Sequence, residues 1–79
     1  MIYIIEAFDK TTDLLVFEEK LPCGHDEKIK LIMGWTEEQW GWEGYDLEVH
    51  QLEALEKLLA KKVHDHQCFF QLTCNVNTR

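Results

Sequence analysis

Histidine and cysteine are the side chains in this sequence that could hold a metal ion. His64, His66 and Cys68 recur at every second position, while Cys23 and His25 lie two residues apart in a predicted turn. Structural zinc sites usually combine two tight pairs, such as C-x2-C or H-x3-H, and that spacing is not present. Cys68 is better explained as a small apolar residue on the buried side of a strand. The sequence therefore predicts no metal site and no cofactor.

A nucleophilic site would need a reactive side chain and a base inside a cleft. Cys23 and His25 provide the residue types, but a catalytic thiol also needs a depressed pKa. It also needs a cleft, and a chain of 79 residues has few residues to line one. The sequence has no G-x-S-x-G motif, no phosphate-binding glycine loop and no H-E-x-x-H motif. Adjacent acids such as Glu18 and Glu19 diverge on a strand or turn instead of facing one another. No catalytic residue and no enzymatic activity are therefore predicted.

The segment of residues 35–48 combines aromatic and acidic side chains and is the strongest candidate for a binding site. It holds all three tryptophans, one tyrosine and five carboxylates. Trp and Tyr are enriched at binding hot spots, and carboxylates around them steer a basic partner. The alternative is a loop whose aromatic rings complete a small core while the carboxylates stay solvated. The predicted partner-binding residues are Glu37, Glu38, Trp40, Trp42, Glu43, Tyr45, Asp46 and Glu48.

The net negative charge of the chain limits the kinds of molecule that it is expected to bind. Fifteen acids against eight bases give a formal net charge of −7, and no Lys or Arg lies between Leu31 and Glu56. A chain of this sign repels phosphate backbones, so neither nucleic acid nor an anionic membrane is expected to bind it. A basic protein is the expected partner.

The sequence also predicts a cytoplasmic location. No apolar run approaches the ~20 residues that span a bilayer. The N-terminal residues have no basic region ahead of a long apolar stretch and no small-residue cleavage site. The three cysteines lack the paired spacing of a secreted disulfide framework, which favours a reducing compartment.

A β-hairpin is predicted at the start of the chain. Residues 1–8 and 14–17 are apolar and partly β-branched, and the polar turn DKTTD separates them. Both faces of the first strand are apolar, which predicts a central strand or one whose second face is covered by a partner or by a second copy in a homodimer. The two faces carry Ile2 and Ile4 on one side and Tyr3, Ile5 and Ala7 on the other.

Two amphipathic helices and a last strand are predicted after the hairpin. Apolar spacing at positions 29, 32 and 33 predicts a short helix at about residues 25–34, with Gly34 as its stop signal. Apolar residues from Val49 to Val63 predict a second helix that Asp46 caps. The alternation in QCFFQLTCNV predicts a final strand with its cysteines on the inner side.

The segment between the two helices has no clean period and contains two internal glycines. Residues 35–46 are therefore predicted to form a loop, with one helical turn at residues 36–40. The resulting element order is β-β-α-α-β. This order predicts one α+β domain over residues 1–79, with a mainly antiparallel three-stranded sheet and two helices on one face.

As a whole, the chain resembles the small acidic immunity proteins of bacterial toxin systems, such as the antitoxins paired with contact-dependent growth inhibition toxins or with nuclease bacteriocins. The resemblance rests on size, acidity, the opening hairpin MIYIIEAFDKTTDLLVFEE, and the segment WTEEQWGWEGYD before the helix DLEVHQLEALEKLLAKK. It implies an acidic surface that sits on the basic, substrate-binding face of a toxin nuclease and blocks it. The alternatives are a regulatory or interaction subunit of another cytosolic complex and a small metal-binding protein.

Overall fold

The computed structural model describes residues 2–35 and 44–75 of the chain. These residues form one antiparallel sheet of four strands, in the spatial order β2-β1-β4-β3, together with two helices. The predicted α+β class is therefore confirmed, while the prediction of three strands was one strand short. The elements in chain order are β1 (Ile2–Asp9), β2 (Leu15–Lys20), α1 (Asp26–Met33), β3 (Gly44–Asp46), α2 (Val49–Leu59) and β4 (Cys68–Asn75).

The predicted hairpin is confirmed by β1 and β2, which pair antiparallel. In the turn, the carboxylate of Asp9 accepts the backbone N–H of Thr11 at 2.7 Å and that of Thr12 at 3.1 Å. Aspartate at the start of a turn commonly binds the backbone in this way. Because β1 has β2 along one edge and β4 along the other, it is a central strand. Neither edge of β1 is open to strand pairing with a second copy.

The missing strand in the prediction was β3. It spans the three residues Gly44–Asp46, which is too short to show a period of two. Its partner in the sheet is β4, where Gly44 lies opposite Thr73 and Asp46 lies opposite Gln71. The loop predicted over residues 35–46 was therefore wrong for its last three residues. The helical turn predicted at residues 36–40 lies outside the described residues.

Both predicted helices are present, but α2 begins and ends at other residues than predicted. Gly34 stops α1 in a left-handed conformation with φ of 73°, as predicted. Asp46 was wrong as the cap of α2, because it belongs to β3 and the N-cap is Glu48. The backbone N–H of Glu48 donates to Oε1 of Gln51 at 2.9 Å, as part of a capping box. The helix ends at Leu59, so Val63 was wrongly included.

The core lies between the sheet and the two helices. Alternate side chains of β1 and β4 point into it, and Ile29 of α1 and Leu52 and Leu55 of α2 cover them. The two cysteines of β4 lie on this inner side, as predicted. Both helices therefore pack on the same face of the sheet. The buried strand residues are Tyr3, Ile5, Ala7, Cys68, Phe70, Leu72 and Cys74.

Candidate functional site

The sheet face opposite the helices is the main candidate for a functional surface. No described element packs over it, and its side chains alternate with those that enter the core. We call it the open face. Because strand side chains alternate, the registers of three strand pairs determine which residues share it. Its residues are Ile2, Ile4, Glu6 and Phe8 of β1, Phe69, Gln71, Thr73 and Asn75 of β4, Leu15, Glu18 and Lys20 of β2, and Gly44 and Asp46 of β3.

A line of polar side chains crosses the open face from one edge of the sheet to the other. Glu18 lies opposite Glu6, Glu6 lies opposite Gln71, and Gln71 lies opposite Asp46. We call these four residues the acidic row. Nε2 of Gln71 donates a hydrogen bond to Oδ1 of Asp46 at 3.1 Å. The row thus places three carboxylates on three strands, with one amide between two of them.

Apolar side chains flank the acidic row. On one side the rings of Phe8 and Phe69 stack, with centroids 5.3 Å apart and an interplanar angle of 18°. Leu15 lies opposite Phe8 and is 48% exposed. On the other side Ile4 lies between Lys20 and Thr73. The open face therefore joins a charged line to an aromatic patch, a combination that is common at protein interfaces.

The acidic row brings like charges together on neighbouring strands. Partial burial raises the pKa of Glu6. Repulsion from Glu18 raises it further, as does a hydrogen bond between the two carboxyl groups that needs a proton on one of them. Within residues 2–35 and 44–75, no Lys or Arg forms an ion pair with Glu6 or Glu18. A cation brought to this point by another molecule would relieve the repulsion.

Three of the residues predicted to bind a partner fall within the described part of the chain. Asp46 is exposed and belongs to the acidic row. Glu48 is exposed at the start of α2, where it caps the helix. Tyr45 is half-buried on the inner face, with its ring centroid 4.9 Å from that of Trp35, and it packs against the core. Glu37, Glu38, Trp40, Trp42 and Glu43 lie outside the described residues.

The sequence analysis missed Glu6 and Glu18 as site residues. A signal was present, because Glu6 follows Ile2 and Ile4 at a spacing of two and therefore shares their face. Glu18 joins that face only through the register of β2 with β1, which shifts at a bulge between Ala7 and Phe8. The local pattern does not predict this shift.

The fold gives different environments to the histidines and to the cysteine of the pattern considered for a metal site. His64 and His66 are exposed before β4 begins, with ring centroids 5.0 Å apart, whereas Cys68 is buried on the inner face. Burial raises the pKa of the Cys68 thiol, and the nearby carboxylates of Asp65 and Asp9 raise it further. Across residues 2–35 and 44–75, no group of three His, Cys, Asp or Glu side chains is arranged to hold a metal ion.

Glu56 is a buried carboxylate whose role is structural. It is 8% exposed, and its Oε2 accepts the backbone N–H of Val63 at 2.7 Å and that of His64 at 2.9 Å. Burial opposes its ionisation, but these two hydrogen bonds, with Lys62 and His64 nearby, lower its pKa. Glu56 thus fastens the segment after α2 to the helix, and it is not poised as a proton donor.

No helix in the described part of the chain is long and apolar enough to cross a membrane.

Comparisons with known proteins place the chain in a family. Neither the curated proteins nor the solved structures contain a match. The model of one protein family does match, and it covers residues 2–73, which include every described helix and nearly all of the sheet. The chain therefore belongs to the family described as a domain of unknown function, DUF7683.

Proposed function

We propose that this chain is an acidic protein-binding module, and more specifically an immunity protein that blocks a toxin nuclease in the cytoplasm. The observation that carries the proposal is the acidic row, in which carboxylates from three strands share one open face. A sheet holds the backbone under these side chains in place, so less conformational freedom is lost on binding than in a loop.

The charge of the chain supports a nuclease as the partner. A nuclease has to present Lys and Arg side chains to the phosphates of its substrate. A net charge of −7 on 79 residues attracts such a surface and speeds association with it. An inhibitor that covers these cations competes directly with nucleic acid. The resemblance to small acidic immunity proteins implies the same mode of action.

The test of the proposal begins with the gene immediately upstream. If it encodes a large protein with a toxin domain, that domain is expressed in a bacterial host with and without this chain. We expect the domain alone to arrest growth and co-expression of this chain to restore it. In vitro, an equimolar amount of the chain should abolish nuclease activity, because one inhibitor covers one active site.

An unrelated nuclease toxin, expressed in parallel, provides the control and should remain lethal in the presence of this chain. Growth arrest that the chain does not relieve would contradict the immunity function, and so would an upstream gene from an unrelated operon.

A regulatory subunit is the second candidate, because the acidic row specifies the charge of a partner but not its activity. In that case the chain, tagged and kept at its native level, should co-purify in a fixed ratio with a basic protein that has no nuclease activity. Loss of that protein's regulation on deletion of this gene would favour the regulatory function over immunity.

A further inference from the structure

We propose that the open face is the docking surface, and that its occupant is a basic protein segment that places an Arg or Lys side chain between Glu6 and Glu18. This inference rests on the proposed protein-binding function and assigns it to one face of the sheet. It differs from the interface predicted at residues 35–48, with which it shares Asp46.

The geometry favours a cation at the β1–β2 end of the acidic row. Side chains directly opposite each other on antiparallel strands have Cβ atoms about 5 Å apart, so the carboxylates of Glu6 and Glu18 can approach one cation together. At the other end, Asp46 already accepts a hydrogen bond from Gln71. Among the residues that the structure describes, Glu6 and Glu18 form no ion pair with a Lys or Arg, so this end of the row has the larger demand for positive charge.

Arginine satisfies this demand better than a small ion does. Its planar guanidinium carries five N–H donors and can bind two carboxylates through separate edges. Its flat face also stacks on aromatic rings, and the Phe8–Phe69 pair lies beside the acidic row. The carboxylates of the acidic row thus suit the N–H donors of an arginine, and the aromatic pair suits the flat face of its guanidinium group.

A second copy of the chain is a poor occupant of the open face. A twofold contact centred on the acidic row would set Glu6, Glu18 and Asp46 of one copy against the acidic row of the other. Like charges brought together in an interface oppose association. Pairing through the edges of β1 is also blocked, because β2 and β4 occupy both. Charge complementarity therefore favours a basic partner over self-association.

The test uses the isotopically labelled chain and a synthetic peptide of six arginines as the probe. Backbone amide shifts are followed by NMR during a titration at low ionic strength. We expect the largest changes at Glu6, Glu18 and Gln71. Changes concentrated at residues 35–43 or on α2, or spread evenly over the chain, would overturn the inference.

A double substitution separates specific docking from general charge attraction. Glu6→Gln with Glu18→Gln should weaken peptide binding by about fivefold, since each exposed ion pair contributes a fraction of a kcal/mol. The control is Glu53→Gln with Glu27→Gln, which removes the same charge from exposed helical positions and should weaken binding less than twofold. Equal weakening by the two double variants would overturn the inference. Thermal melting checks that both variants remain folded.

The same variants distinguish failure of this inference from failure of the proposed function. If the chain protects cells from an upstream toxin and the Glu6→Gln, Glu18→Gln variant protects equally well, immunity stands and the open face is not the docking surface. If no toxin is neutralised but the peptide maps to the open face and depends on Glu6 and Glu18, the docking surface stands and immunity does not.

Discussion

Two glutamates take opposite roles in this molecule. Glu6 lies beside Glu18 on the open face, where partial burial and repulsion raise its pKa. For Glu56, burial opposes ionisation, but hydrogen bonds from two backbone N–H groups lower the pKa. At neutral pH the charge of Glu6 therefore works against the fold, and that of Glu56 supports it. Unfavourable charge retained on a surface is often connected with binding.

Glu6→Gln should stabilise the free protein at neutral pH by roughly a few tenths of a kcal/mol, because it removes a like-charge pair from opposite positions on two strands. A raised pKa means that the folded chain binds more protons than the unfolded chain between the usual glutamate pKa and the raised value. The destabilisation by Glu6 is thus absent below the usual pKa, appears as the pH rises through the raised value, and is complete above it.

Urea denaturation of the parent and of Glu6→Gln, at neutral and at mildly acidic pH, measures this difference. The gain in unfolding free energy should shrink as the pH falls. Glu53→Gln removes an exposed charge from α2 and should not raise stability. A variant at position 6 that is less stable than the parent at neutral pH would contradict the repulsion argument.

Glu56→Ala should lower the free energy of unfolding by about 2 kcal/mol, because the N–H groups of Val63 and His64 lose a charged acceptor. The pKa of Glu56 is lowered in the fold, so its contribution is present above the usual glutamate pKa and is lost as the pH falls through the folded value. Parent and variant should therefore converge in strong acid.

Denaturation at neutral and strongly acidic pH provides the measurement for Glu56→Ala. Glu53→Ala, at an exposed position of the same helix, serves as the control and should change stability far less. A constant difference between parent and variant at all pH values would show that packing, not charge, is lost.

At the scale of elements, β3 connects the core to the open face. Its central residue Tyr45 points inward against Trp35, while Asp46 points outward to Gln71. The backbone N–H of Leu47 then donates to the carbonyl of Phe70 at 2.9 Å and prolongs the contact with β4. A strand of three residues thus places the Tyr45 side chain in the core and the Asp46 side chain on the open face.

Tyr45→Ala should lower the free energy of unfolding by about 2 kcal/mol or more, since it removes a ring that packs against the core and against Trp35. Tyr45→Phe keeps the ring and should retain most of the stability. Thermal and urea melts measure both variants. If Tyr45→Ala melts like the parent yet loses partner binding, Tyr45 is a binding anchor, as residues 35–48 were predicted to provide.

At the scale of the whole molecule, the sheet ends in β2 on one side and β3 on the other, and no element among residues 2–35 and 44–75 packs over its open face. β2 forms one edge, where Leu15 and Val16 are 48% and 54% exposed, and Leu14 just before the strand is 68% exposed. The same strand continues into Glu18 and Glu19, and charged residues of this kind discourage edge-to-edge pairing. The carboxylates of the open face likewise repel the open face of a second copy.

We therefore expect the purified chain to be a monomer at low ionic strength, where repulsion between the acidic surfaces is least screened. Sedimentation equilibrium over a range of protein concentrations measures this. A stable dimer under these conditions would contradict the expectation. Loss of that dimer on Leu14→Glu, at an exposed position beside the start of β2, would then place its interface at the β2 edge, whereas loss on Ile4→Glu would place it on the open face.

Most of the elements could be predicted because their signals are local. The alternation in β4, the helical spacing around Ile29 and Leu55, and the turn that starts at Asp9 each lie within one stretch of chain. In each helix or strand, the spacing of the apolar residues on the buried face is enough to indicate which of the two forms. The acidity that suggests a basic partner is likewise a property of composition, and it needs no coordinates.

β3 and the acidic row could not be predicted in this way. Asp46 and Gln71 are 25 residues apart, and their contact requires β3 to pair with β4 in one register. A slip of one residue in any strand pair would turn its side chains to the other face and break the row. The charge of the surface therefore follows from composition, whereas the face that carries it follows from long-range strand pairing, because only pairing brings carboxylates from distant segments side by side.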